Sequence, residues 1–215
     1  MTAPIAVTIS RQFGAGGAVI GRQVARKLRF HYLDQEIVRR VAEKVRQEAR
    51  ILAGREERIS SLWENLLQVF AIGAPEAAYP PPEICRYYSD RELFLLEGEV
   101  IHEVAARQNA VIVGRGGFRV LQGHSGLVSI FLHADRTIRA ATIRVFYDLK
   151  SDREALDLVA EYDRRRERFL KTMTGVDWLS ASNYHLCLDT GRIGMEAAGD
   201  LIVRLAENTL RRTAG

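Results

Sequence analysis

"PIAVTISRQFGAGGAVIGRQVARKL", residues 4–28, decides the fold. Its opening "PIAVTI" (4–9) is a short apolar run rich in β-branched residues, as a buried strand requires. "SRQFGAGG" (10–17) follows as a loop, and Val19, Ile20, Val24 and Leu28 then recur at helical spacing. The order is strand, glycine loop, helix. Gly14, Gly16 and Gly17 let backbone approach a ligand closely and adopt positive φ, while the free N–H groups at the head of the helix point into the loop. An anion is the natural occupant, and the competing reading is a tight turn that packs without a ligand.

Outward from this stretch the alternation repeats. "HYLD" (31–34) reads as a second strand ending in a carboxylate, and Ile37, Val38, Val41 and Val45 lie on one face of a helix behind it. "AVIVG" (110–114), "LVSIFLHA" (127–134) and "YHLCLDT" (184–190) are three further strands, with helices expected over 135–148, 151–171 and 194–212. The stretch from about 50 to 108 differs: an amphipathic helix "RISSLWENLLQVFAI", a proline-broken loop and a long helix begun by a capping box at Ser89 and Glu92. Ser151 and Glu154 make a second box. Short apolar strands alternating with helices predict an α/β fold of three layers, α/β/α, on a five-stranded parallel sheet. Residues 1–215 read as a single domain with a helical insertion at about 50–108.

Composition narrows the function. A chain of 215 residues with 47% apolar and 27% charged side chains buries about 70% of its unfolded surface, as a globular protein does. Cys85 and Cys187 match no metal-ligand spacing and read as reduced thiols. His31, His102, His124, His133 and His185 are scattered singly, so no metal site is expected. "MTAPIAVTIS" is no signal peptide, and no apolar run approaches the ~20 residues that span a bilayer, which predicts a cytoplasmic protein. The net charge of +4 is carried by arginine, with lysine only at Lys27, Lys44, Lys150 and Lys171. The guanidinium fork suits phosphate, so anionic ligands are favoured, though a biased genome produces the same excess.

"ISRQFGAGGAVIG", "YLDQEI", "VIVGRGGF" (111–118), "YDRRRERFLKTMTGVDW" (162–178) and "YHLCLDT" together resemble the cytidylate kinase-like family, a branch of the P-loop nucleoside monophosphate kinases. The resemblance spans nearly the whole chain and is thinnest from 50 to 108. It implies a P-loop fold, a nucleotide-binding glycine loop, an acceptor-binding helical region and an arginine-bearing lid at about 162–180. Such loops read like "SREYGSGGREIG", so Gly17 in place of a lysine belongs to the group, whereas Ala18, where arginine is common, is this chain's own departure. Losing one charge-assisted contact in the transition state costs roughly 3 kcal/mol, about a hundredfold in rate.

The resemblance and the strand ends nominate the same residues. Ser10, Arg11, Phe13, Gly14, Ala15, Gly16, Gly17 and Ala18 form the cofactor-binding loop, with ATP and Mg²⁺ as the implied cofactors. Arg11 is the leading substitute for the missing lysine, against a plain surface charge; Ser10 reads either as a ligand of metal-bound water or as a turn hydrogen bond. Asp34 reads as a carboxylate that orients the acceptor or holds Mg²⁺ through water, and equally as the N-cap of the helix from Gln35. In the resemblance Arg115 in "GRGG" (114–117) corresponds to the arginine that grips the acceptor's phosphate, against the reading of a loop arginine facing solvent. Arg136 and Arg139 are either a solvated face or phosphate contacts. From the basic run, Arg165 and Arg168 are expected to point inward and Arg164 and Arg166 outward, with Gly175 as hinge and Trp178 as anchor. Phe94, Phe146 and Tyr147 read as core or subunit contact, and the apolar helix through Trp63 and Phe70 predicts a homodimer.

The function expected is transfer of the γ-phosphoryl of ATP to a nucleoside monophosphate or another small phosphorylated acceptor. A nucleotide-binding regulatory module without turnover is the alternative. Nucleic-acid binding through the basic helix ranks last, because no aromatic platform interleaves its arginines.

Overall fold

The computed structural model describes residues 3–34 and 90–214. The amphipathic helix and dimer face expected around Ile59–Phe70, Cys85, the Ser89 half of the first capping box and the helix from Gln35 lie outside the described residues.

β1 (Ala6–Arg11) is the centre of the sheet. β2 (His31–Asp34), β3 (Ala110–Val113), β4 (Leu127–His133) and β5 (Leu186–Asp189) complete it in the order β2-β3-β1-β4-β5. Every pairing is parallel, as the helical crossovers demand. The period of two sorts β1 between two cores. Ile5, Val7 and Ile9 face Ile20 and Val24 of α1 (Gly17–Leu28), together with the C-terminal helix residues Ala198, Ile202 and Ala206. Ala6 faces the other way, with Ala110 and Ile112, against Val100, Ile101 and Val104 of α2 (Asp90–Arg107). Each fully buried Ile or Val contributes about 1.5–3 kcal/mol, so these stripes hold the layers together.

β1 runs two residues past the expected "PIAVTI". Ser10 pairs with Phe131 and Arg11 with Leu132 of β4, so both are strand residues rather than loop residues. The alternation therefore continues through them: Arg11 shares the face of Ile9 and α1, and Ser10 shares the opposite face with Thr8. This one extension settles where the site's first cation points.

α3 (Gly117–Val120) follows β3, and the layers beyond β4 come from α4 (Arg136–Phe146) and α5 (Asp152–Thr174), with α6 (Thr190–Ile193) and α7 (Met195–Ala214) after β5. Asp135 caps α4 by accepting from the Thr137 amide at 2.8 Å. Ser151 caps α5 by accepting from the Glu154 amide at 3.2 Å, but the Glu154 carboxylate reaches back to the Lys150 amide, one residue earlier than a capping box requires. α5 ends at Gly175, whose φ of 72° lets its N–H close onto Lys171 O. Trp178 is buried among Phe118, Phe131, Leu170 and Tyr184, which fixes the chain just beyond that helix end.

Candidate phosphate-binding site

The loop between β1 and α1 is shaped by glycine. Gly14 and Gly16 have φ of 86° and 79°, and Gly16 is the N-cap of α1 without any side-chain cap bond. The first turn of α1 carries no acidic residue, so the partial positive charge of its leading N–H groups is left for a ligand.

Arg11 lies across this helix start. A Cβ at Gly17 would stand 2.7 Å from Arg11 Cγ and 3.0 Å from Cδ, and one at Gly114 would stand 2.2 Å from Arg11 Nη1. The arginine stem thus fills the space that a side chain at 17 would need, and its head reaches across to the loop after β3. Burial pulls the Arg11 guanidinium down to about 9, Arg166 beside it pulls the same way, and Tyr32 and Asp34 oppose. Among the described residues no carboxylate forms an ion pair with Arg11 and no acceptor takes its side-chain N–H groups.

Arg115 enters from the loop after β3. Gly114, Arg115 and Gly116 have φ of 90°, 53° and 63°, and a left-handed arginine costs roughly 1–2 kcal/mol. Its head is held 3.1 Å from Glu97, which is buried on α2, and lies 5.6 Å above the Phe169 ring. Glu97 carried no signal in the sequence beyond its place on an otherwise apolar helix face, where a carboxylate needs a partner.

On α5 the arginine that turns inward is Arg166, not Arg165 and Arg168 as expected. Arg166 donates to Arg11 O at 3.1 Å, stands 3.6 Å from Asp163 and lies 5.8 Å over the Trp178 ring. Burial lowers its pKa, and Asp163 opposes the shift. Arg165 is exposed and ion-paired with Glu161, yet it lines the cavity mouth, while Arg164 and Arg168 face solvent. The phase of the helix explains this. The buried stripe Ala155, Val159, Leu170 advances by three and four residues and passes through Asp163 and Arg166. That stripe was readable in the sequence.

Asp163 is a junction. It accepts from the Phe13 amide at 2.8 Å and from Arg139 at 2.6 Å, and Arg139 also donates to Phe13 O at 3.0 Å and Ala134 O at 2.9 Å. Arg139 is therefore a buried brace between α4, α5 and the glycine loop, neither a solvated face nor a free phosphate contact. Arg136 is exposed and donates to Leu156 O.

Asp34 ends β2 opposite Val113, with Arg22 at 4.0 Å, and is absent from the cavity wall. Ser10 is buried at the cavity's edge with its hydroxyl toward that of Tyr184, which itself donates to Trp178 O at 2.7 Å; burial pushes Tyr184 up to about 12 and Ser10 opposes that. The cavity itself has a volume of about 540 Å³, within the range of small-molecule sites. Ser10, Arg11, Phe13, Gly14, Gly16, Gly17 and Ala18 line it with Arg115, Arg165 and Arg166; Ala15 is buried behind the loop. One end is aromatic: Phe13 stacks on Tyr162 at 4.3 Å and 12°, with Tyr147 at 6.0 Å. Phe146 and Tyr147 edge this cavity and, at 70% and 56% exposed, are not core residues.

Among the described residues, those that line the cavity do not fit Mg²⁺. Position 18, where a loop-end hydroxyl would ligate it, is alanine, and the Ser10 hydroxyl is engaged elsewhere. Among the described residues no carboxylate lines the cavity and no three His, Cys, Asp or Glu side chains gather to hold a metal ion.

The glycine loop stands at the head of α1, central in a parallel α/β sheet and ringed by arginine. The chain belongs to the cytidylate kinase-like family, whose model matches residues 6–192. An uncharacterized protein from Eubacterium ventriosum ATCC 27560 shares the fold, with a TM-score of 0.69 and 16% identity over 94% of this chain and 98% of that one. Shikimate kinase from Bacteroides thetaiotaomicron aligns with a TM-score of 0.49 and 16% identity over 94% and 98% of the two chains. A gluconokinase from Sinorhizobium meliloti 1021 aligns with 0.49 and 16% over 99% of each. No curated protein sequence matches the chain. No helix of the described residues is long and apolar enough to cross a membrane.

Proposed function

We propose that this protein is a phosphotransferase that moves the γ-phosphoryl of ATP to a nucleoside monophosphate or another small phosphorylated acceptor, with Arg11 standing in for the loop lysine. The observation that carries this reading is the Arg11 guanidinium: half-buried, without a carboxylate partner among the described residues, and laid over the side-chain-free Gly17 at the helix start. A buried cation without a counter-charge costs several kcal/mol, and a polyphosphate in the cavity supplies that charge. In the proposed reaction an acceptor oxygen forms a bond to the γ-phosphorus as the bond to the β–γ bridging oxygen breaks, leaving ADP, with no covalent enzyme intermediate.

The amides of Gly14, Gly16, Gly17 and Ala18 hold the polyphosphate, Arg11 and Arg166 neutralise the transferring group, and Arg165 joins them from the rim. Arg115, clamped by Glu97, holds the acceptor's phosphate, and Asp34 sits on the acceptor side. Arg168 leaves the set because it faces solvent. We place the protein in the cytoplasm as a homodimer; light scattering that gives a monomer removes the second point.

Coupled-assay turnover with ATP and a panel of monophosphates tests the reading, and Arg11→Met is expected to lower kcat/KM about a hundredfold. The second reading, nucleotide binding without turnover, is favoured by Ala18, which removes the loop-end hydroxyl. Nucleotide that raises the melting temperature while no acceptor is consumed selects it.

A further inference from the structure

We infer that this cavity takes its polyphosphate as the metal-free anion, with guanidinium groups supplying the charge compensation that Mg²⁺ supplies where the loop ends in a hydroxyl residue. The inference rests on the phosphate-binding reading above and concerns which ionic form of the ligand is bound.

Mg²⁺ demands oxygen ligands in near-octahedral array and is bound through one or two carboxylates or hydroxyls plus the phosphates. Here the donors are missing or committed. Ala18 is exposed at the first turn of α1 and offers a methyl group. Ser10 is turned to Tyr184 by the strand alternation. The carboxylates that meet arginines around the described cavity are committed: Glu97 holds Arg115, Asp163 holds Arg139 and Arg166, Glu161 holds Arg165, and Asp34 stands against Arg22. A carboxylate could ligate a metal there only by giving up its arginine, which leaves Mg²⁺ the phosphates and water alone.

The positive charge, by contrast, is already built in. Arg11, Arg115, Arg165 and Arg166 all line the cavity, and Arg11 is the half-buried member with no carboxylate partner among the described residues. A divalent ion on the nucleotide removes two units of the charge these side chains would meet, and it occupies the same phosphate oxygens. Metal and arginines therefore compete for the ligand, and the form with the higher negative charge gains more from the site.

Titration calorimetry of the full chain tests this, with ATP and inorganic tripolyphosphate as probes, in EDTA and in excess Mg²⁺ at matched ionic strength. The expected result is an affinity in EDTA equal to or tighter than that in Mg²⁺. Tightening by Mg²⁺ overturns the inference while leaving the phosphate site standing. No heat in either buffer overturns the phosphate-binding reading itself. Arg11→Met, which removes a buried charge and so does not threaten folding, is expected to weaken binding in EDTA by about tenfold or more. Unchanged affinity in that variant overturns the inference from the other side.

Discussion

At the residue scale the site turns on one exchange of space. Position 17 has no side chain because the Arg11 stem runs over its Cα, so lysine there and arginine at 11 exclude one another. Gly17→Lys alone is expected to destabilise the fold by about 1–3 kcal/mol through overpacking, and to weaken ATP binding. Combining it with Arg11→Gly is expected to recover part of both losses, a non-additivity that a double-mutant cycle of denaturation midpoints and ATP affinities reads directly. Additive losses would show that the two positions do not share one space. The charge on Arg11 also sets a pH dependence. Its folded pKa, about 9, lies below its unfolded value, so between the two the unfolded chain binds the extra proton and the stability of the free protein rises with pH. Below about 9 the buried charge is a cost that a bound polyphosphate offsets. The increase in melting temperature produced by ATP is therefore expected to be larger at neutral pH than in alkali above that value, and an increase that is flat across it contradicts the assignment.

At the element scale, α5 and the glycine loop are joined through one carboxylate. Asp163 accepts from the Phe13 amide, Arg139 and Arg166 together, so its loss leaves two arginines on the inner faces of α4 and α5 without their partner. Asp163→Asn is expected to lower stability by about 3 kcal/mol, measured by urea denaturation, and to raise the KM for ATP because the loop shoulder loses its anchor. A variant with normal stability and normal KM would show that the junction is incidental. The helix start offers a milder case: Ser151→Ala removes the cap of α5 and is expected to cost about 1 kcal/mol. Because α5 carries Arg166 as well as the cap, that loss bears on the orientation of a site residue and not on stability alone.

At the scale of the whole molecule, the parallel sheet brings the ends of β1 and β3 side by side, and α5 crosses over them from the far edge. Three segments distant in sequence thereby deliver Arg11, Arg115 and Arg166 to one cavity. Gathering cations costs free energy in the empty protein, so ligand and fold are linked: anion binding is expected to stabilise the entire domain, by about 2.7 kcal/mol at a hundredfold excess over Kd. Calorimetric melting with and without tripolyphosphate checks this, and a melting temperature indifferent to the anion would separate the cluster from phosphate.

The chain by itself determined the alternation of strands and helices, the glycine loop between β1 and α1, and the arginine-rich character of the ligand face. These depend on periodicity and backbone freedom, which are local properties. The tertiary structure decided the rest. β4 extended the pairing of β1 to Arg11, and that pairing turned Arg11 toward Gly17 and Ser10 toward Tyr184. The meeting of α4 with the loop made Arg139 a brace. Such choices depend on which face of an element meets a distant partner, and no single segment contains that information.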